Sequence, residues 1–212
     1  MKKLLTSLFA TALVLSLVST ASAQVRFGVK AGLNLATIKF SNLGEVEPDV
    51  SMVPTFMVGG QVEFDFTENL GLGVGLQLNG KGAKVKTEFL GEVVESKATP
   101  MYLQVPVMLQ YRNSGFFAGV GPYVGFGLFG KTKTDGADSE DLNFGNSVDD
   151  DFAPLDFGAG VEAGYEFGSL RATVSYNLGL ANAIPKDAVE GTDIKAKHNV
   201  IGVALAYMFG GE

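Results

Sequence analysis

His198 is the single histidine of the 212-residue chain and the side chain best suited to proton transfer or metal binding near neutral pH. Ser175, Asp187 and Asp193 supply the hydroxyl and carboxylates that a hydrolase or acyltransferase would set beside it. No second histidine and no cysteine joins it, so a metal donor set is missing, and His198 reads as a rim histidine in a polar setting. Gly125, Gly127 and Gly130 spell the G-x-G-x-x-G string of dinucleotide sites. That string needs a following helix N-terminus to hold phosphate, and Lys131 to Gly136 has no helical periodicity, so these glycines belong to a strand. Asp135, Asp138, Glu140, Asp141, Asp149, Asp150 and Asp151 outweigh Lys131 and Lys133. Such oxygens suit a hard divalent cation, but EF-hand spacing is absent and the run reads as an acidic solvated loop. We expect no catalytic residue, no metal ligand and no cofactor.

The elements that carry these residues follow from composition and periodicity. The net charge of −7 has the wrong sign for a general nucleic-acid binder, and 46% apolar residues argue against disorder. Glycine is in excess at 28 residues and follows no collagen register. Lys2 and Lys3, the apolar stretch from Leu4 to Val18, and Ala21-Ser22-Ala23 have the three parts of an export signal. We therefore divide the chain into a cleaved leader over 1–23 and one domain over 24–212. With no cysteine, neither a disulfide framework nor a lipidated N-terminal cysteine is available.

Beyond the leader no apolar run is long enough for a spanning helix, and the period is two. Eight apolar sets alternate with polar residues and glycine: Val25 to Leu35, Phe56 to Phe66, Leu70 to Leu78, Met101 to Tyr111, Phe116 to Leu128, Leu155 to Phe167, Leu170 to Leu180, and Ile201 to Phe209. None of their 48 positions is charged, and 13 are Phe or Tyr. An eight-stranded barrel is only just wide enough inside for ordinary side chains, so this bulk must face outward. The expected fold is all-β, an eight-stranded antiparallel up-and-down transmembrane β-barrel with glycine relieving crowding in a narrow lumen.

Shared parity across hairpins pairs Phe66 with Leu70, Tyr111 with Phe116, and Phe167 with Leu170. The implied turns are Thr67 to Asn69, Arg112 to Gly115, and Gly168-Ser169. Between them run long polar connections, roughly Ile38 to Met52, Gly82 to Lys97, Lys131 to Asp151 and Ala183 to Lys195. Short and long links alternate as periplasmic turns and external loops do, which sets both termini in the periplasm. Phe27, Phe66, Tyr111, Phe116, Phe167, Tyr207 and Phe209 fall near the short-turn end as an aromatic membrane-interface girdle. Pro106 and Pro122 interrupt strands, and the register sets Pro106 opposite Gly121, where a bulge or kink is expected.

The inward parity carries Arg26, Lys30, Glu63, Asp65, Glu162, Glu166 and Arg171, expected to form a lumen polar network. Glu166 should face Arg171, while Glu63 and Asp65 face Gly73 and Gly71. With Asp156, five inward acids oppose three bases, a bias toward cations if the lumen conducts.

Phe27-Gly28-Val29-Lys30-Ala31-Gly32-Leu33-Asn34, Tyr102-Leu103-Gln104-Val105-Pro106, Gly119-Val120-Gly121-Pro122-Tyr123 and Asp156-Phe157-Gly158-Ala159-Gly160 occur in that order after the leader. The chain thereby resembles the PorT-like family of outer-membrane β-barrel proteins, often called porin-family proteins. The resemblance covers nearly the whole mature chain and implies a barrel assembled in the outer membrane of a Gram-negative bacterium. It makes outer-membrane lipid and the barrel-assembly machinery its surroundings, and the two prolines family features. Its motifs are structural and carry no catalytic residue. The leading expectation is a non-enzymatic barrel displaying surface loops to an envelope, secretion-associated or extracellular partner. A narrow porin-like channel for small solutes is the alternative, and an outer-membrane hydrolase or acyltransferase comes third.

Overall fold

The computed structural model describes residues 25–44, 48–89 and 92–210. The expected leader lies outside the described residues, as does Gln24. Eleven strands follow in order: β1 (Val25–Ser41), β2 (Asp49–Ser51), β3 (Val53–Asp65), β4 (Leu70–Gly80), β5 (Ala83–Phe89), β6 (Glu92–Asn113), β7 (Phe116–Thr134), β8 (Glu140–Asp141), β9 (Leu155–Phe167), β10 (Leu170–Gly179) and β11 (Lys195–Phe209). Strands β1, β3, β4, β6, β7, β9, β10 and β11 form a ring in which each pairs antiparallel with the next, and β11 returns to β1. Closure leaves that ring without a free edge. Strands β2, β5 and β8 are short additions in the long-link half.

The alternation read from sequence becomes an inside-out wall. Leu33, Leu205 and Phe116 are about two-thirds exposed on the outer face, while Glu63, Gln104 and Arg171 are buried within. Within the outer halves of the strands this polarity reverses. Ala36, Ile38, Val53, Ala83, Ala196 and Val200 are buried and cluster inside, whereas Lys39 and Lys195 are exposed. Hydrocarbon favours an apolar exterior and water an apolar interior, so the reversal at Leu35 and Ala36 marks the edge of the apolar band.

Two hairpins have the register that parity gives. Glu63 opposes Gly73 and Asp65 opposes Gly71; Arg171 opposes Glu166 and Leu170 opposes Phe167. In the first turn the Thr67 hydroxyl accepts from the N–H groups of Asn69 and Leu70, at 3.2 and 3.0 Å. The β6–β7 hairpin departs from expectation by two residues. Asn113 pairs with Phe116 and Tyr111 with Ala118, leaving a turn of only Ser114 and Gly115. Both have positive φ, 51° and 85°, the primed geometry whose twist matches the flanking strands. A shift of two keeps every face and moves Arg112 from the turn into the wall.

The bulge also lies elsewhere than expected. Pro106 opposes Tyr123, not Gly121. Pairing lapses around it, between Val74–Val107 and Gln77–Gln104, and resumes in the same register. Gly75 accommodates the proline, since a Cβ there would stand 3.0 Å from its ring. The register shift comes at Met101 and Tyr102, which oppose Phe129 and Gly127, so Leu128 is the extra residue. Leu128 and Phe129 consequently both face outward. Two of the expected polar connections are partly strand: β5 pairs with the start of β6, and β7 runs on to Thr134.

Candidate functional site

Polar side chains fill the ring in two layers. In the short-turn half, alternation on β1, β3, β6, β9 and β10 aims Arg26, Glu63, Arg112, Glu166 and Arg171 at one another. Arg171 Nη1 and Nη2 donate to Glu63 Oε1 and Oε2, at 2.5 and 2.9 Å. Its Nε donates to Glu166 at 2.7 Å. Arg26 donates to Glu63 at 2.9 Å and to Glu166 at 3.1 Å. Arg112 donates to Glu63 at 2.8 Å and also pairs with Asp65. The Arg171 guanidinium lies 4.5 Å from the Phe117 ring centroid, which covers one of its faces. Each charge of this cluster therefore has an opposite charge and hydrogen bonds, the condition for holding ions away from bulk water.

Lys30 and Glu162 stand apart from this cluster. Glu162 accepts from Gln110 at 2.9 Å, and Lys30 has no carboxylate within ion-pair distance among the described residues. Both line a cavity of about 30 Å³ with Gln77, Gln104 and Arg171, room for about one water. The Gln77 Oε1 and Gln104 Nε2 atoms are buried without a protein partner, as groups that hydrogen-bond to such a water would be.

The second layer lies toward the long links. Asn34 donates to Asn79 at 2.6 Å, and Asn79 to Gln104 at 3.0 Å. Lys81, just beyond β4, turns inward and pairs with Asp156 on β9; both are almost fully buried. Its ammonium lies 4.3 and 5.3 Å from the ring centroids of Tyr123 and Tyr102. Above them the acidic link folds back over the mouth. Phe144 meets Tyr102 edge-on at 5.5 Å, Phe152 stacks on His198 at 5.8 Å, and the Tyr102 hydroxyl donates to the Ala153 carbonyl at 3.1 Å.

His198 is thus beneath this cap rather than on a polar rim, 1% exposed, and neither ring nitrogen has a hydrogen-bond partner. Ser175, Asp187 and Asp193 do not hydrogen-bond to it. Among the described residues no cluster of carboxylates, histidine or cysteine could hold a metal ion. Sequence reasoning did not place Arg112, Lys81 or the Phe144–Phe152 cap in the lumen. With Arg112 and Lys81 added, Arg26, Lys30, Lys81, Arg112 and Arg171 balance Glu63, Asp65, Asp156, Glu162 and Glu166. Five cations against five anions replaces the expected excess of acid. On the outer wall at the short-turn end, Phe27, Phe66, Tyr111, Phe116, Phe167, Tyr207 and Phe209 are all exposed. Tyr165 joins Phe116 and Phe167, each ring pair 4.7 Å apart, and Tyr207 lies 4.8 Å from Phe209.

An apolar exterior around an ionic interior, closed by strands alone, defines a transmembrane β-barrel. The outer membrane protein beta-barrel domain model matches residues 19–184, and the chain belongs to that family. It is an outer-membrane β-barrel protein, and its wall faces lipid of the Gram-negative outer membrane. No curated relative matches it. Among solved structures it is similar to Ail, the attachment invasion locus protein of Yersinia pestis, with 13% identity, TM-score 0.43, and coverage of 88% of this chain and 99% of that one. The E. coli Outer Membrane Protein W shares 18% identity, with TM-score 0.42 and coverage of 89% and 100%. Neisserial surface protein A shares 12%, with TM-score 0.45 and coverage of 86% and 97%.

Proposed function

We propose that this barrel is a non-conducting, non-enzymatic scaffold that holds its four long links at the cell surface for an envelope, secretion-associated or extracellular partner. The observation that carries this reading is the filled lumen: an ion network below, a Lys81–Asp156 pair under an aromatic cap above, and about 30 Å³ of space between. A hydrated ion needs a continuous wet path, and a single water-sized pocket does not provide one. In this reading Arg26, Lys30, Glu63, Asp65, Glu162, Glu166 and Arg171 act as an internal polar plug, and the exposed aromatic belt anchors the barrel at the periplasmic interface.

The same reading takes residues 1–23 as a removed leader, both termini as periplasmic, and the barrel-assembly machinery as the route of insertion. The ordered motifs shared with PorT-like proteins support that narrower kinship. Reconstitution in planar bilayers tests the central claim, with no unitary current steps expected. Clear steps that vanish when Glu63 or Glu162 is neutralised would favour the small-solute channel. Because the sequence lacks cysteine, Asp138→Cys and Ser169→Cys report topology in whole cells: an impermeant maleimide should label only the first. Intact mass should begin at Gln24, and co-purification from native membranes should show whether a secretion or envelope partner travels with the barrel.

A further inference from the structure

We propose that the long-link end of the barrel wall binds a phosphate-bearing lipid of the outer leaflet, seated over Phe56, Met101, Leu128 and Phe129 with Lys97, Lys131 and Lys133 at its headgroup. The argument begins with where the lysines stand. Lys39 opposes Lys197 directly across β1 and β11. Lys84 opposes Lys97 across β5 and β6, and Lys97 opposes Lys133 across β6 and β7. Like charges facing each other on adjacent strands destabilise a sheet unless something between them is negative. Protein carboxylates answer only part of this charge. Glu95 pairs with Lys84 at 2.6 Å, and Asp141 lies 3.8 Å from Lys131 with both side chains largely exposed. Lys39, Lys97, Lys133 and Lys197 have no carboxylate within 4 Å among the described residues.

The level of these lysines identifies the missing partner. They begin where the wall's polarity reverses, just past the apolar band, which is the depth of lipid headgroups. The bulge produces the arrangement. By inserting Leu128 it turns two consecutive apolar side chains outward, then sets Lys131 and Lys133 on the exterior, where unbroken alternation would have put Thr132 and Thr134. Below the lysines is a groove of about 550 Å³, open on the lipid side, floored by Phe56, Met101, Leu128 and Phe129 and rimmed by Lys97, Lys131 and Asp141. An acyl chain fits the floor, and a phosphate at its head meets Lys97 and Lys131 on the rim, with Lys133 next to Lys97 across the β6–β7 ladder. A free phosphate would leave that apolar floor unused. At the opposite end the short turns carry Glu68 and no lysine, so the charge is one-sided.

Assignment to the outer leaflet rests on the topology proposed above; the site itself does not. The test uses the full chain in phosphatidylcholine nanodiscs doped with diphosphorylated lipid A or with its dephosphorylated form, and native mass spectrometry of lipid retained on the barrel. The phosphorylated form should be retained selectively. Lys97→Gln with Lys131→Gln and Lys133→Gln should weaken retention on the order of a hundredfold, roughly fivefold for each lysine near a charged surface. Lys39→Gln with Lys197→Gln, across the barrel from the groove, should leave it unchanged, with heat-modifiable migration showing that both variants fold. Equal retention of the dephosphorylated lipid, an unaffected triple variant, or displacement by inorganic phosphate would overturn the proposal. Reversed maleimide labelling of Asp138→Cys and Ser169→Cys, with selective retention intact, would instead overturn the topology and leave the site standing.

Discussion

Arg171 on β10 and Glu63 on β3 meet across the lumen as a bidentate pair, with N–O distances of 2.5 and 2.9 Å, although 108 residues separate them. Neither strand neighbours the other in the ring. The pair therefore braces opposite walls, and Arg26, Arg112 and Glu166 join it to three further strands. Hydrogen bonds around the ring hold adjacent strands; this network fixes the cross-section that those strands enclose.

Glu63→Ala should cost about 3–5 kcal/mol of unfolding free energy, because it leaves Arg171 buried without its bidentate acceptor. Glu63→Leu combined with Arg171→Met removes both charges and should recover most of that loss. Urea titration of the folded barrel in lipid vesicles measures both. A loss below about 1 kcal/mol for the single variant, the level of an exposed pair, would mean that water reaches the cluster freely.

Val74 lies on the lipid-facing parity of β4, between Val62 on β3 and Val107 on β6. An arginine there sits in the middle of the apolar band. Val74→Arg should destabilise by about 2–4 kcal/mol in the same titration, and an unchanged midpoint would contradict the assigned face.

The wall was legible in sequence because lipid and lumen impose opposite chemistry on alternate residues, as Val29 and Lys30 illustrate. The outer half was less so. Ile38 and Ala83 read as parts of polar links, because inward apolar residues set among exposed lysines give the reversed alternation of a water-facing sheet. Arg112 was missed for another reason: parity cannot distinguish registers that differ by two, and only the backbone of Ser114 and Gly115 selects between them. Lys81 continues the inward parity of Gln77 and Asn79, but it lies past Leu78, where the apolar set of β4 ends, and so read as the start of a polar link. The cap was hinted at by Leu142, Phe144 and Phe152, apolar residues in an otherwise acidic segment, but nothing in their spacing gave the direction in which that segment folds.

Phe144 and Phe152 hold the acidic link over the mouth through contacts with Tyr102 and His198. Truncating both removes those aromatic pairs without touching the ring ladder. Phe144→Ala with Phe152→Ala should raise protease cleavage within residues 135–151 by roughly tenfold, the effect of losing about 1.4 kcal/mol of closure, while the barrel's own unfolding midpoint holds. Digestion followed by peptide mass analysis separates the two.

His198 should tolerate an apolar replacement. Its ring is buried between Phe152 and Tyr102, and both nitrogens lack partners. Replacing an unsatisfied polar group with a side chain of similar size removes a desolvation cost, so His198→Leu should change stability by no more than about 1 kcal/mol, in either direction. A larger loss would reveal a polar partner, such as a bound water, at one of the ring nitrogens. Lipid and peptide hydrolysis screens on the same variant should match the parent, and a selective loss there would revive a catalytic role.

Ser114 occupies the left-handed region at φ 51° beside Gly115 at 85°, in the two-residue turn that sets the β6–β7 register. Serine adopts that conformation less readily than asparagine or glycine, and Asn-Gly is the pair most favoured in a type I′ turn. Ser114→Asn should therefore stabilise the barrel by a fraction of the roughly 1–2 kcal/mol that the left-handed region costs an ordinary side chain. It should also speed closure of this hairpin, and with it the entry of Arg112 into the lumen. Refolding into vesicles, followed by the appearance of the heat-resistant form, measures the rate. Slower folding would mean that the four-residue turn from Arg112 to Gly115 forms first and that the native register is reached by a later slip of two residues.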